Sequence, residues 1–200
     1  MITILKSGYY KIMRLFYNNK TAKLHLREIA RRSKLHEPST TKFLSSLEQD
    51  KILKSEKDGN LKKFSIRKNN VSYFIFEMFD IEKLDKLPDI RRKSIHCYLE
   101  ALPEKPIFAI LFGSTAKETY NESSDVDILI VANKKIDVKM AEKEADALAG
   151  IKISSFQIDY RHFLKELRLK EDKVVQSAVN TGYPIINNVA YYEVMCNEGI

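Results

Sequence analysis

Two short apolar runs in the second half of the chain limit what it can fold into. Residues 107–112 (IFAILF) are apolar at every position, as in a strand of a sheet that is covered on both faces. Gly113-Ser114 ends this run, and a second run, ILIV, follows Asp125 and Asp127. Because residues i and i+2 of a strand share a face, the two carboxylates are expected to project together. The pattern predicts a buried sheet with two like charges beside a glycine-containing turn.

The chemistry of this stretch indicates a metal and a phosphate. Two carboxylates held side by side need a compensating cation. Their oxygens suit Mg²⁺, which binds through one or two carboxylates and leaves positions for substrate phosphates. Gly113 lets the backbone approach a phosphate closely, and Ser114 adds a hydroxyl donor at a helix start. These features together predict nucleotidyl transfer from a nucleoside triphosphate.

This arrangement resembles the DNA polymerase beta-type nucleotidyltransferase superfamily, and more narrowly the minimal nucleotidyltransferases of prokaryotes. The shared pattern is Gly-Ser, a gap, Ser-Asp-x-Asp and an apolar strand, and the resemblance covers roughly residues 104–186. It implies a small mixed sheet covered by helices, with Mg²⁺ as cofactor and a nucleoside triphosphate, ATP in the simplest case, as substrate. It implies phosphate binding by Gly113, Ser114 and Lys117, a brace at Ser124, and Mg²⁺ binding by Asp125 and Asp127.

Departures from the family pattern bear on activity. Lys117 and Glu118 stand where family members usually have Arg and Gly; lysine lacks the bidentate fork of arginine, and Glu118 adds negative charge near a triphosphate. The third carboxylate of the family site is not evident, because the next strand offers Ser154 and Ser155. Asp159, at the far end of that strand, is the candidate catalytic base, and the alternative is that it caps the following helix. A site without a base would activate the hydroxyl through the metal alone, or would only sense nucleotide.

Charge is distributed unevenly along the chain. Residues 1–70 carry 17 Lys and Arg against 6 Asp and Glu, a net charge of +11. Residues 71–200 carry 17 against 21, a net charge of −4. A basic N-terminal third predicts a module that binds a polyanion. The alternative is a lysine-rich surface that has no specific ligand.

The pattern of this basic third resembles the winged helix-turn-helix of bacterial and archaeal transcription regulators, over roughly residues 7–70. Two short amphipathic segments are joined by a tight turn, and Pro38 suits the first helical position of the second. A turn signal at 58–60 then joins two strand-like segments into a hairpin, the wing. Lys51 departs from the pattern, because these domains usually have glycine after the recognition helix, where the chain turns left-handed.

The resemblance implies two sets of DNA contacts. The side chains that would face base edges from the second helix are Ser39, Thr40 and Lys42. The side chains that would contact phosphate are Arg27, Arg31, Arg32, Lys57, Lys62 and Lys63. The alternative is a winged helix used only for protein contacts or dimerisation.

The whole sequence predicts an α+β protein of two domains, with a winged helix-turn-helix at 1–70, a helical connector at 71–103 and a nucleotidyltransferase domain at 104–200. The apolar connector fits either an interdomain core or the two-fold axis of a homodimer. The predicted function is a DNA-binding nucleotidyltransferase that modifies a hydroxyl of an RNA, a protein or a small molecule. The alternative is a transcription regulator whose second domain only senses nucleotide or binds a partner. Prokaryotic relatives are often half of a toxin–antitoxin pair, so the resemblance also implies a protein target.

Compartment signals favour the cytoplasm. No apolar run approaches the ~18 residues of a membrane helix, and the N-terminus lacks the features of a signal peptide. Cys97 and Cys196 are far apart in sequence and show no metal-ligand spacing. These features predict a cytoplasmic protein with free thiols, and they predict no membrane partner.

Overall fold

The computed structural model describes residues 8–199 and shows an α+β protein with helices and two separate β-sheets. The described chain divides into two compact units, residues 8–79 and 80–199. The division falls inside a helix that spans residues 70–85, so the segment predicted as a connector is shared between the two units. Among the described residues, no helix combines the length and the apolar character needed to cross a membrane.

The first unit has helices followed by a β-hairpin. In chain order its elements are α1 (Gly8–Asn18), β1 (Leu24–His25), α2 (Leu26–Ser33), α3 (Glu37–Gln49), β2 (Leu53–Asp58), β3 (Leu61–Ile66) and the first part of α4 (Asn70–Asp85). The three strands are antiparallel in the order β1-β3-β2. The hairpin turn lies where the sequence predicts it, because Asp58 pairs with Leu61 and Gly59 has a left-handed φ of +59°. The winged helix-turn-helix assignment itself stays a prediction.

The core of the first unit is built from its helices and its hairpin. Its largest fully buried side chains are Ile12, Phe16, Ile29, Leu44 and Leu53. These side chains come from α1, α2 and α3, each of which buries one apolar face, and from Leu53 at the start of β2. These elements stabilise one another because none of them could bury its apolar face alone.

The register of α3 corrects one expectation. Thr40, predicted to face base edges, is 0% exposed. It lies four and seven residues before the buried Leu44 and Leu47, and therefore on the same helical face. Its Oγ1 donates a hydrogen bond of 3.0 Å to the carbonyl of His36. Thr40 is a core residue of the first unit and presents nothing to a ligand.

Lys51 follows α3 in the left-handed conformation that the sequence predicts, with φ +57°. We expect Lys51→Gly to raise the free energy of unfolding by about 0.5–1 kcal/mol, because glycine adopts this conformation without a Cβ clash. Urea denaturation would measure the change. Lys51→Ala is the matched control, since it removes the same side chain and keeps the Cβ. A Lys51→Gly variant no more stable than Lys51→Ala would contradict the prediction.

The second unit is built around a mixed sheet. After the end of α4 its elements are α5 (Asp89–Glu100), β4 (Phe108–Phe112), α6 (Gly113–Ala116), β5 (Val126–Ala132), α7 (Lys139–Ala149), β6 (Ile153–Asp159), α8 (Tyr160–Leu169), α9 (Lys173–Thr181), β7 (Tyr183–Ile186) and α10 (Asn188–Asn197). The strand order is β6-β5-β4-β7. Strand β4 is antiparallel to β5 and β7, whereas β5 and β6 are parallel. This sheet agrees with the small mixed sheet expected from the sequence.

Helices cover both faces of this sheet. On one face Ile128 belongs to a buried cluster with Tyr98 of α5 and Ala141 of α7. On the other face the ring centroid of Phe108 lies 5.3 Å from that of Phe163 in α8 and 5.7 Å from that of Tyr191 in α10. Helix α5 is therefore part of the core of this unit, although the sequence predicted a domain boundary at 104, after this helix.

Candidate functional site

Asp125 and Asp127 lie at the beginning of β5, beside the Gly-Ser turn. Asp127 is opposite Phe112 of β4 and opposite Ser154 of β6. The residue between the two aspartates, Val126, is fully buried in the sheet core, whereas both aspartates are partly exposed. The alternation along the strand therefore brings the two carboxylates to one side of the sheet.

Gly113 lies against the side chain of Asp127. Its φ is +69°, and a Cβ placed on it would lie 1.9 Å from Oδ2 of Asp127. Real Cβ atoms do not approach an oxygen so closely, so both the conformation and the space demand glycine here. The carboxylate of Asp127 thus lies directly on the backbone of the turn.

The pKa values of the two carboxylates shift in opposite directions. Hydrogen bonds from Ser154 and Lys152 lower the pKa of Asp125; Oγ of Ser154 lies 2.8 Å and Nζ of Lys152 3.2 Å from its Oδ2. Burial raises the pKa of Asp127, and the negative charge of Asp125 raises it further, whereas Lys117 and Lys152 act in the opposite sense. Because the pKa of Asp127 stays raised despite two nearby lysines, a cation at the pair would be favourable.

The loop between the Gly-Ser turn and the aspartates is held by Arg91 of α5, which is 3% exposed. Its guanidinium donates to Oγ1 of Thr115 at 3.1 Å, to the carbonyl of Asn121 at 2.7 Å and to the carbonyl of Ser124 at 2.9 Å. It also lies 4.2 Å from the ring centroid of Tyr120. Arg91 was not expected from the sequence, because it precedes the loop by more than 20 residues and lies in the segment predicted as a connector.

The other residues expected in the site also lie along this loop. The hydroxyl of Ser124 accepts from the backbone N–H of Asn121 at 3.0 Å and donates to its Oδ1 at 3.1 Å, so Ser124 braces the turn. Lys117 is exposed at the C-terminus of α6, and Ser114 is partly exposed within it. Glu118 has a left-handed φ of +57°. In the family that the sequence resembles, this position is usually glycine, and glycine would adopt the left-handed conformation without strain.

Asp159 does not lie with the aspartate pair. Ser154 is the residue opposite Asp127, and Asp159 follows five residues later on β6, about 16 Å along the strand. Its carboxylate accepts hydrogen bonds from the backbone N–H groups of Arg161 at 2.9 Å and His162 at 3.4 Å. The alternative that Asp159 caps the following helix is therefore confirmed, and the geometry does not support a role as catalytic base.

The pair therefore offers two carboxylates rather than three. Within residues 8–199, no group of three or more His, Cys, Asp and Glu side chains is arranged to hold a metal ion. Two carboxylates nevertheless fit one Mg²⁺, since this ion keeps waters and substrate phosphates as its remaining ligands. The donor set is thus compatible with Mg²⁺ held between protein and nucleotide.

The basic residues expected to contact DNA fall into two groups. Four of them pair with neighbouring carboxylates: Arg27 with Glu37 at 3.8 Å, Arg32 with Glu28 at 2.5 Å, Lys62 with Glu48 at 2.8 Å, and Lys63 with Asp58. Three are exposed and form no ion pair with another described residue, namely Arg31, Lys42 and Lys57. Ser39 is also exposed, at the start of α3.

Comparison with known proteins gives one informative match. Residues 93–189, just under half of the chain, match the family model of polymerase beta, nucleotidyltransferase. No curated protein matches the chain. A solved structure described as TrmBL2, an archaeal chromatin protein that shows a novel mode of DNA binding, is 17% identical over 86% of this chain and 78% of its own, with a TM-score of 0.25. A superposition at that score supports no conclusion, whereas the family match supports a nucleotidyltransferase-type fold for the second unit.

Proposed function

We propose that the second unit is a Mg²⁺-dependent nucleotidyltransferase that moves a nucleoside monophosphate from a nucleoside triphosphate to a hydroxyl. The observation that carries this proposal is the carboxylate of Asp127 lying on Gly113 beside Asp125, inside the stretch that matches the family model. Asp125 and Asp127 would hold the ion. Gly113, Ser114 and Lys117 would bind the triphosphate.

The roles of the residues follow from their positions. When bound, Mg²⁺ would supply Lewis-acid stabilisation of charge on the phosphates. The absence of a side chain on Gly113 leaves room for the carboxylate of Asp127 at the turn, and the ammonium of Lys117 adds positive charge that acts on Asp127. In the transfer, the acceptor oxygen forms a bond to the α-phosphorus, the bond to pyrophosphate breaks, and the hydroxyl proton is released to solvent. No carboxylate of the described site, other than the pair, is placed to take that proton.

Label transfer tests the proposal directly. The chain is incubated with labelled nucleoside triphosphates, Mg²⁺ and a cell extract, and Asp127→Asn is compared with the parent. We expect the parent to label an RNA, a protein or a small molecule, and we expect Asp127→Asn to lose this activity. Nucleotide binding without transfer by the parent would contradict the enzyme proposal.

Asp127→Asn also has an expected effect on stability that does not depend on activity. Because the pKa of Asp127 is raised in the native state, the unfolded chain loses this proton at a lower pH than the native chain does. As the pH increases from about 4 through the native pKa, the native state therefore loses stability relative to the unfolded state. Without Mg²⁺ at pH 7, we therefore expect Asp127→Asn to melt at a higher temperature than the parent. At pH 3, where the carboxyl is protonated in both states, the difference should vanish. If Asp127→Asn melted at the same temperature as the parent at pH 7, or at a lower one, the raised pKa of Asp127 would be contradicted.

A nucleotide-sensing regulator is the second candidate function. It is favoured by the pair's lack of a third acid and by the Lys152 ammonium that already contacts Asp125. A sensor would bind a nucleoside triphosphate, release it unchanged and alter DNA binding in response. The label-transfer experiment separates the two candidates, because only the enzyme converts the nucleotide.

We further propose that the first unit is a winged helix-turn-helix that binds DNA. The support is the order α2, α3 and hairpin, together with a net charge of +11 over residues 1–70. Arg31 and Lys57 would contact phosphate, because their charges are not neutralised by a described carboxylate. Ser39 and Lys42, which are exposed on α3, would face base edges.

Salt dependence of DNA binding tests this proposal with a matched pair of lysines. Lys57 and Lys62 are opposite each other on the hairpin, but only Lys62 is paired with Glu48. We expect Lys57→Ala to weaken binding to DNA of any sequence and to reduce the salt slope by about 1. Lys62→Ala should change the slope less, because Glu48 already offsets its charge. A slope that neither substitution changes would favour the use of this unit for protein contacts.

A further inference from the structure

The carboxylate of Asp125 is already engaged by two donors from β6 and the residues before it. Its Oδ2 accepts a hydrogen bond of 2.8 Å from the hydroxyl of Ser154 and one of 3.2 Å from the ammonium of Lys152. The side chain of Lys152 is 70% exposed, so this ion pair is accessible to solvent. One of the four oxygens of the aspartate pair is thus already in contact with a positively charged side chain of the protein.

The charges around the pair are balanced before any ion binds. The groups whose charges act on Asp127 are Asp125, Lys117 and Lys152. With Asp127 itself, they sum to zero. One divalent ion would bring these four groups to +2. A second ion would therefore meet the repulsion of the first ion as well as that of both lysines.

The position that could add a third carboxylate carries a hydroxyl. Ser154 is opposite Asp127 in the β5–β6 register, and its Oγ already contacts Asp125. A carboxylate at this position would lie against both aspartates and would create a third set of oxygen ligands. Two-metal sites of nucleotide-transferring enzymes hold their ions about 3.5–4 Å apart. A third carboxylate here would supply oxygen ligands for a second ion.

We propose that this site binds one divalent cation and that the ammonium of Lys152 takes the place of a second cation at Asp125. The inference rests on the proposed function, because it concerns the metal content of the same site. It assigns a role to Lys152, which neutralises Asp125 and competes with a metal ion for its Oδ2. Ser154 supports this arrangement by donating to the same oxygen.

Counting bound Mn²⁺ tests the inference without relying on activity. Electron paramagnetic resonance of free Mn²⁺, recorded with a non-hydrolysable nucleoside triphosphate, gives the number of ions bound per chain. We expect one ion for the parent and for Lys165→Met, an exposed lysine on α8 that serves as control. The double variant Lys152→Met/Ser154→Asp should bind two. Lys152→Met alone should bind its single ion up to about fivefold more tightly, since an exposed ion pair is worth no more than about 1 kcal/mol.

The outcomes separate this inference from the function on which it rests. Two ions bound by the parent would overturn the inference and leave the nucleotidyltransferase proposal intact. A double variant that folds, as judged by circular dichroism, and still binds one ion would also overturn it. No Mn²⁺ bound to the parent at any concentration would overturn both, because the aspartate pair would then hold no ion.

Discussion

Gly113→Ala is expected to destabilise the second unit by about 2–4 kcal/mol and to remove divalent-ion binding. The added methyl group would lie 1.9 Å from Oδ2, 2.9 Å from Cγ and 3.2 Å from Cβ of Asp127. Rotation about χ1 would move Oδ2 and Cγ away but not Cβ, so the turn or the start of β5 must still shift by a few tenths of an ångström. Either response moves the carboxylate of Asp127 away from its place beside Asp125.

Gly150→Ala is the matched control for this prediction. Gly150 ends α7 with φ +62°, and a Cβ placed on it meets no atom within 4 Å. Its substitution therefore carries only the cost of a left-handed alanine, about 1–2 kcal/mol. The additional loss of unfolding free energy in Gly113→Ala, relative to Gly150→Ala, measures the cost of the overlap with Asp127. Equal losses, with Mn²⁺ binding retained in both variants, would show that Asp127 does not depend on the glycine.

Arg91→Met is expected to lower the free energy of unfolding by about 2–4 kcal/mol. The substitution keeps much of the apolar stem but leaves two partly buried carbonyls, those of Asn121 and Ser124, without their donor. It also removes the hydrogen bond from Arg91 to the hydroxyl of Thr115, which lies 3.4 Å from the carbonyl of Asp125. We therefore expect weaker Mn²⁺ binding as well as a lower melting temperature.

The neighbouring arginine provides the control. Arg92 contacts the carbonyl of Asp85 and the carboxylate of Asp89 near the surface, so Arg92→Met should cost less than about 1 kcal/mol. Arg91→Lys should be intermediate, because an ammonium cannot present the planar fork that reaches three acceptors at once. Chemical denaturation of the three variants would rank them. An Arg91→Met variant as stable as Arg92→Met would refute the role of the guanidinium.

The parts of the site that follow from local sequence could be predicted. Strand β4 is apolar on both faces, and the spacing of Asp125 and Asp127 places them on one side of a strand whatever its neighbours are. Local geometry likewise accounts for Gly59 at the hairpin and for Lys51 in a left-handed conformation. These features depend on a few consecutive residues, so no tertiary information is needed.

The parts that depend on chain pairing could not be predicted. Strand β6 is parallel to β5, so the beginnings of both strands lie at the same edge of the sheet. This arrangement brings Ser154 and Lys152 to the aspartates and carries Asp159 to the opposite end. Arg91 reaches the loop only because α5 packs on this sheet. Each of these contacts is set by how distant segments align.

Thr40 is a different kind of error, because its burial was visible in the sequence. Thr40 precedes Leu44 by four residues and Leu47 by seven, which is the helical spacing of the apolar face of α3. Threonine was counted as polar, yet its hydroxyl can bond to the carbonyl four residues earlier, as it does to His36. Helical spacing is therefore a better guide to burial here than residue polarity.

The place of β6 at the margin of its sheet has a consequence for how this protein can change. Among the described strands, only β5 pairs with β6 through its backbone, and Ser154 is only half-buried. Its side chain is thus constrained by its hydrogen bond to Asp125 rather than by packing. A single codon change there would convert a site with two acidic ligands into one with three and leave the sheet unaltered. A lineage of such proteins could gain or lose metal-ion chemistry without having to evolve a new scaffold.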